Sequence, residues 1–236
     1  MQRKRYFYES YIKRATDIVC ALLALIVFCW LYAIIAVLVR IKLGSPVLFK
    51  QIRPGMKDKS GQEKLFKLYK FRTMTDEKDA DGKLLPDEIR LTKFGAWLRS
   101  SSLDELPEAI NILKGDMSVI GPRPQLVRDM VFMTEEQRQR HNVRPGLSGL
   151  AQVRGRNAIS WEGKLAIDLE YIEHITFLGD VKIVFQTIGK FLKREYIVRD
   201  GTVSDMDYGD VLPKEGKVSQ EDYQMKQEEA LELLKV

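Results

Sequence analysis

Three scarcities narrow the possibilities at once. The chain has two cysteines, Cys20 and Cys29, both inside one apolar run. That leaves no disulfide framework and no Cys/His metal spacing, and it suits a reducing compartment. Its two histidines, His141 and His174, are too few for a multi-histidine metal site and a poor basis for a histidine triad. The run itself, Ile18 to Val39 ("IVCALLALIVFCWLYAIIAVLV"), has no charge, no glycine and no proline. A cleavable signal peptide is disfavoured, because the run exceeds a usual apolar core and no small-residue cleavage site follows.

What is present begins with size and charge. The 236 residues allow one domain with a core of its own, or one domain plus appendages. The formal charge of +5 admits nucleic acid, a membrane surface or an anionic metabolite, and does not choose among them. As a helix the apolar run would measure about 33 Å, against a hydrocarbon core of about 30 Å. A buried core helix is the alternative, but one apolar on every side is rare in so small a domain. Membrane insertion is the expectation. Arg3, Lys4, Arg5, Lys13 and Arg14 precede the run, and Arg40, Lys42, Lys50 and Arg53 follow it. Positive residues mark the cytoplasmic face, and here both ends carry them, which favours a segment that enters the bilayer and returns.

Downstream, "SPVLFKQIRPG" and "KLFKLYKFRTM" alternate partly at period two around a polar, glycine-containing stretch, and read as a β-hairpin. "TDEKDADGKLLPDEI" reads as a charged loop. "RLTKFGAWLRSS" and "LPEAINILKG" read as short helices, the second stopped by Gly115. Thr134, with Glu135 and Glu136 behind it, is a helix start signal. "RPGLSGLAQVRGRN" reads as a glycine-rich loop, and "SWEGKLAIDLEYIEHI" as a helix capped by Ser160. In Phe177–Val198, Val181, Val184, Phe185, Ile188, Phe191 and Leu192 form one helical stripe. An ordinary core helix and a helix lying in the membrane interface both remain open there. The tail from Asp205 is polar and ends in a helical pattern. The expected division is 1–43 for the basic segment and membrane helix, 44–203 for the main domain, and 204–236 for the tail.

The stretch Ser101 to Leu126, "SSLDELPEAINILKGDMSVIGPRPQL", carries the chemistry. On local grounds Ser102 and Glu105 make a helix-capping box, with Asp104 and Glu105 favouring the macrodipole. The company points elsewhere: Lys70, Arg72, Arg99 and Arg123, among Gly/Pro-rich loops, make a site for phosphates. A carboxylate pair there would repel a diphosphate unless a cation screens it, and Mg²⁺ commonly bridges one or two carboxylates and substrate phosphates. A carboxylate can also attack phosphorus.

The motifs "KRATD", "SPVLFKQIRPG", "LYKFRTM", "LRSSSLDELPEAINILKGDMSVIGPRPQL" and "RPGLSGLAQVRGRN" together resemble the bacterial sugar transferases, small monotopic phosphoglycosyl transferases that start glycan assembly on polyprenyl phosphate. The resemblance runs from about residue 10 to residue 200. "RGRNAISW" and "IDLEYIEHITFLGDVKI" further resemble the branch that transfers diacetylbacillosamine phosphate. The resemblance implies an α+β, mainly helical domain with a small hairpin, a re-entrant membrane helix and interfacial helices, on the cytoplasmic face of the bacterial inner membrane. It implies Asp104 as nucleophile on the β-phosphate of a UDP-sugar and Glu105 as a Mg²⁺ ligand. Lys70, Arg72, Arg99, Arg144 and the Pro122-Arg123-Pro124 turn would meet the donor, and Arg156 and Asn157 would lie toward the sugar. The positive neighbours are expected to keep Asp104 ionised. The family usually breaks its membrane helix at a Ser-Pro, and Cys29-Trp30 stands there instead. Two rivals differ in class. A membrane-anchored nucleic-acid binder lacks any recognised motif and has an acid pair in its basic patch. A non-catalytic scaffold of glycan assembly is opposed by the intact "LDEL" and "GPRP".

Overall fold

The computed structural model describes residues 7–155, 159–193 and 206–235. Most of it is helical. The apolar run forms α1 (Lys13–Val27) and α2 (Cys29–Lys42), which meet at Phe28 with a bend of 64°. No single helix among the described residues is long and apolar enough to cross a membrane; the bent pair together has the length and composition. The bend arises without proline or glycine. Each arm is fastened to a different part of the domain. On α1, Arg14 donates to the carbonyls of Ile112 and Leu113, and the Asp17 carboxylate accepts from Ser118 Oγ and Val119 N. On α2, Tyr32 donates to Leu106 O at 2.6 Å, and Ile35 and Val39 pack with Phe71 and Leu98. A straight helix cannot reach both anchorages.

The expected hairpin is present as β1 (Leu48–Lys57) and β2 (Glu63–Phe71), antiparallel, with Lys50 opposite Tyr69 and Arg53 opposite Phe66. Phe66 and Leu68 share one buried cluster with Ala21 of α1 and with Ile112 and Met117. The charged stretch after it is mostly irregular, with one helical turn, α3 (Asp87–Arg90). Helix α4 (Lys93–Ser100) is capped by Thr92, which accepts from Gly95 N. Helix α5 (Glu108–Lys114) stops at Gly115, whose φ of 92° favours glycine.

The glycine-rich stretch is not simply a loop. Strand β3 (Ser118–Ile120) pairs in parallel with β4 (Gly146–Ser148), and α7 (Leu150–Arg154) follows. The glycines serve close packing: a Cβ on Gly146 would stand 2.0 Å from Gly121 N. Between these strands lie α6 (Val127–Met130) and a 3₁₀ segment, Gln137–Asn142. Thr134 exchanges hydrogen bonds with Gln137 and so closes the turn that leads into it, while Glu136 stands at its start without a side-chain cap bond. Helix α8 (Trp161–Glu173) has the expected Ser160 cap.

In α9 (Phe177–Lys193) the stripe divides: Phe185, Ile188, Phe191 and Leu192 face outward, Phe185 being 69% and Leu192 75% exposed, while Val181 and Val184 are half-buried, Val184 against the cluster that holds Ile183. The core-helix reading therefore fails for the four outward positions. In the tail, α10 (Tyr208–Lys214) was not evident from the pattern, and α11 (Gln220–Leu233) was. Both pack on the rest: Tyr208 and Leu212 against Met133 and Leu165, Ala230 against Val127 and Met130.

Candidate active site

The acid pair sits on a strained turn. Ser102 has φ 52°, in the left-handed region that non-glycine residues rarely adopt, and no side-chain cap bond. The capping box expected from Ser102 and Glu105 is therefore absent. A 3₁₀ turn, Leu103–Glu105, follows and carries both carboxylates. Asn111, fully buried on α5, docks that helix onto β2: its Oδ1 accepts from Tyr69 N at 3.0 Å and its Nδ2 donates to Lys67 O at 2.8 Å. This sets Lys70 against the acids. Lys70 Nζ lies 2.8 Å from Glu105 Oε1 and 3.2 Å from Glu108 Oε1. Arg123 reaches the same Glu105 oxygen at 2.5 Å and keeps a third of its side chain exposed (33%), so it can still meet a ligand. Arg99 donates from Nε to Thr73 Oγ1 at 3.0 Å and acts on Asp104 through space.

Adjacent acids thus occupy opposite conditions. Glu105 is partly buried, but the Arg123 and Lys70 cations outweigh the desolvation and hold it well below the usual carboxylate range. Asp104 is 7% exposed, and its carboxylate has no hydrogen-bond or ion-pair partner among the described residues. Burial, aided by the Glu105 charge, pushes it up to about 6, against the pull of Lys70, Arg123 and Arg99. Desolvation outweighs the pull of the cations, yet at about 6 the group remains mostly ionised at neutral pH, the form the cations were expected to favour. Glu108, also buried, is pushed up by desolvation and by Glu105. A carboxylate without partners near cations has the chemistry that attack on phosphorus requires.

Lys70, Arg99, Asp104, Glu105 and Arg123 are brought together. Pro122 and Pro124 flank Arg123 and tie its turn down, Pro122 O accepting from Gly146 N and Pro124 O from Arg53. Arg72 is not in the group. It is buried and donates to the carbonyls of Leu43, Ser45 and Met74 and pairs with Asp76, bracing the exit of α2. Arg144 also stands apart, donating to Gly115 O and lining a cleft with Lys13 and Asp17. Arg156 and Asn157 lie outside the described residues. Sequence reading passed over Glu108, although it stands four residues after Asp104 and three after Glu105, a spacing that shares a helical face. It also passed over Asn111 and the role of Arg53. Among the described residues no group of three or more His, Cys, Asp or Glu side chains could hold a metal ion.

The arrangement gathers carboxylates and cations of the kind that handle phosphorylated groups. Comparison with known proteins gives the family: the model of the bacterial sugar transferases matches residues 8–194, and the chain belongs to that family. It is 47% identical over 193 residues to the uncharacterized sugar transferase EpsL of Bacillus subtilis (strain 168), covering 82% of this chain and 93% of that protein. It is 38% identical to the UDP-glucose:undecaprenyl-phosphate glucose-1-phosphate transferase of Klebsiella pneumoniae, over 75% of this chain and 39% of the relative. With the UDP-N-acetylgalactosamine-undecaprenyl-phosphate N-acetylgalactosaminephosphotransferase of Aeromonas hydrophila the identity is 37%, over 78% of this chain and 44% of the relative.

Proposed function

We propose that the enzyme transfers a sugar 1-phosphate from a UDP-sugar to polyprenyl phosphate through a covalent intermediate on Asp104. The observation that carries this is the unpartnered Asp104 carboxylate beside a Glu105 already bound by Lys70 and Arg123. An Asp104 oxygen attacks the β-phosphorus, a new O–P bond forms, and the bridging bond to the α-phosphate breaks, releasing UMP. An oxygen of the lipid phosphate then attacks the same phosphorus. The Asp104 bond breaks and the lipid leaves as a sugar diphosphate. Lys70, Arg99 and Arg123 offset charge on the transferring group, and positioning supplies much of the rest. Covalent storage lets a soluble and a bilayer substrate use one small site in turn.

Mg²⁺ fits this donor set as a shared ion rather than a caged one, since it binds through one or two carboxylates plus substrate phosphates and water. Glu105, with Asp104 beside it, would hold it, and it would screen the acids from the diphosphate. The sugar is proposed to be an N-acetylated amino sugar, with diacetylbacillosamine the first choice. That rests on the resemblance around Arg156 to Trp161; the named relatives include one for UDP-glucose and one for UDP-N-acetylgalactosamine.

The bent α1–α2 pair, with Leu23, Ile26, Trp30 and Val37 exposed, and the outward stripe of α9 support a re-entrant membrane segment and an interfacial helix on the cytoplasmic face. A single cysteine at Gln2, with Cys20 and Cys29 replaced, tests the topology. Protection from an impermeant reagent until lysis is expected; labelling in intact cells would show a crossing.

The catalytic reading is tested by withholding the lipid. Intact mass should show the enzyme carrying one phosphosugar, lost in Asp104→Asn, and initial-rate plots should be parallel. Intersecting plots without an adduct would indicate direct transfer in a ternary complex. A panel of UDP-sugars read by UMP release tests the donor; turnover of UDP-glucose alone would overturn the acetamido-sugar choice.

A further inference from the structure

Arg53, on β1, lies beside Arg123 and is held quite differently. Arg123 is matched by Glu105. Arg53 has neutral acceptors only: Nη1 donates to Pro124 O at 3.2 Å and Nη2 to Gln51 Oε1 at 2.6 Å. Its Nε is buried and without a hydrogen-bond partner, and no carboxylate lies within ion-pair distance, among the described residues. Burial and the Arg123 charge push its pKa down to about 10, with Asp129, Asp207 and Glu108 pulling the other way from farther off. Two guanidiniums side by side, one of them short of an anion, cost folding free energy unless something negative offsets it. Arg53 itself helps to hold the Pro122–Pro124 turn that carries Arg123.

We propose, resting on the functional reading above, that Arg53 is a second anion-binding arginine of the donor site, which with Arg123 receives the diphosphate of a nucleoside diphosphate donor. Bidentate guanidinium contacts suit phosphate oxygens, and a diphosphate brings the charge that both arginines can share. Two carboxylates act on Arg53 through space only and are engaged elsewhere: Asp129 Oδ1 accepts from Gly209 N at 3.0 Å, and Asp207 pairs with Arg128 at 2.8 Å. Asp207 and Gly209 lie beyond the stretch that the family model matches.

The test compares UDP with uridine, which lacks phosphate, on the full chain in detergent. For Arg53→Gln the affinity for UDP is expected to fall about tenfold or more, and for uridine to stay unchanged. Arg53→Lys keeps charge but loses the fork, so a loss of about threefold for UDP alone is expected. If Arg53→Gln does not fold, Arg53→Lys carries the test by the same readouts. Unchanged UDP affinity in the folded variant, or equal losses for UDP and uridine, would overturn the proposal while leaving the functional reading intact. Failure of the unaltered chain to bind UDP would overturn both.

Discussion

Two buried charge clusters lie a short way apart in this molecule, and they are built on opposite principles. In one, Arg140 and Asp168 are almost wholly buried and bonded twice, with Arg140 also donating to Arg123 O, and Glu63 is paired with Arg138 and His141. Bonds from His141 and Arg138 hold Glu63 well below its ordinary range, and burial pushes His141 down to about 4. Charges there are matched. In the other, among the described residues, Asp104 has no partner, Glu108 is pushed up, and Arg53 lacks an anion. A matched cluster holds shape; an unmatched one stores electrostatic demand that a substrate can satisfy. The Arg140 bond to Arg123 O links the two, so the first steadies the turn that the second uses.

The largest expected effect breaks the unmatched side. Asp104→Asn should lower UMP release by a factor of at least about 1,000, or roughly 4 kcal/mol of barrier, without lowering the thermal midpoint. The sign follows from its raised pKa. The folded protein binds a proton there more readily than the unfolded chain, so the ionised group costs stability as pH rises from about 4 through about 6. Removing it at neutral pH relieves that cost. A variant that unfolds, or one that keeps near-normal turnover, would count against the contrast.

Next comes the matched side. Arg140→Met strands the Asp168 charge in the interior and should cost about 3–5 kcal/mol of stability, read by denaturant unfolding. A loss below about 1 kcal/mol would show that the pairing matters less than its burial implies. A smaller effect, on pH, sharpens the comparison. The donor half-reaction should fall about tenfold per unit below about pH 6, because Asp104 must be ionised to attack, and level off above it. A limb centred near 4 would mean that Asp104 titrates as an ordinary carboxylate. A smaller stability effect belongs to Arg138→Met, at the half-buried edge of the matched cluster, where His141 still bonds the buried Glu63; about 1–3 kcal/mol is expected and turnover should not change.

Local signals carried far in this sequence. Period-two alternation marked the hairpin, Ser160 and Gly115 marked helix ends, and the acid pair with Lys70, Arg99 and Arg123 could be picked out from residue type and motif. Each signal spans a few residues and reflects local propensity or a short-range bond. Arg72 shows the limit: its charge and position in "LYKFRTM" suggested phosphate, yet its guanidinium is occupied by the backbone at the end of α2. Glu108 and Arg53 could not be weighed, because what distinguishes them is the lack or presence of partners far along the chain.

The sequence by itself determined which residues could do chemistry and that Ile18 to Val39 is apolar throughout. Only the tertiary structure decided that Asp104 stands free while Glu105 is bound, since that depends on where Lys70 and Arg123 arrive. It also decided the bend. Nothing in Ile18 to Val39 favours a break, but Arg14 and Asp17 fasten one arm near α5 and β3 while Tyr32, Ile35 and Val39 fasten the other near Leu106, Phe71 and Leu98. Two anchorages off a common line cost a helix less to satisfy by opening at Phe28 than by leaving either arm unpacked.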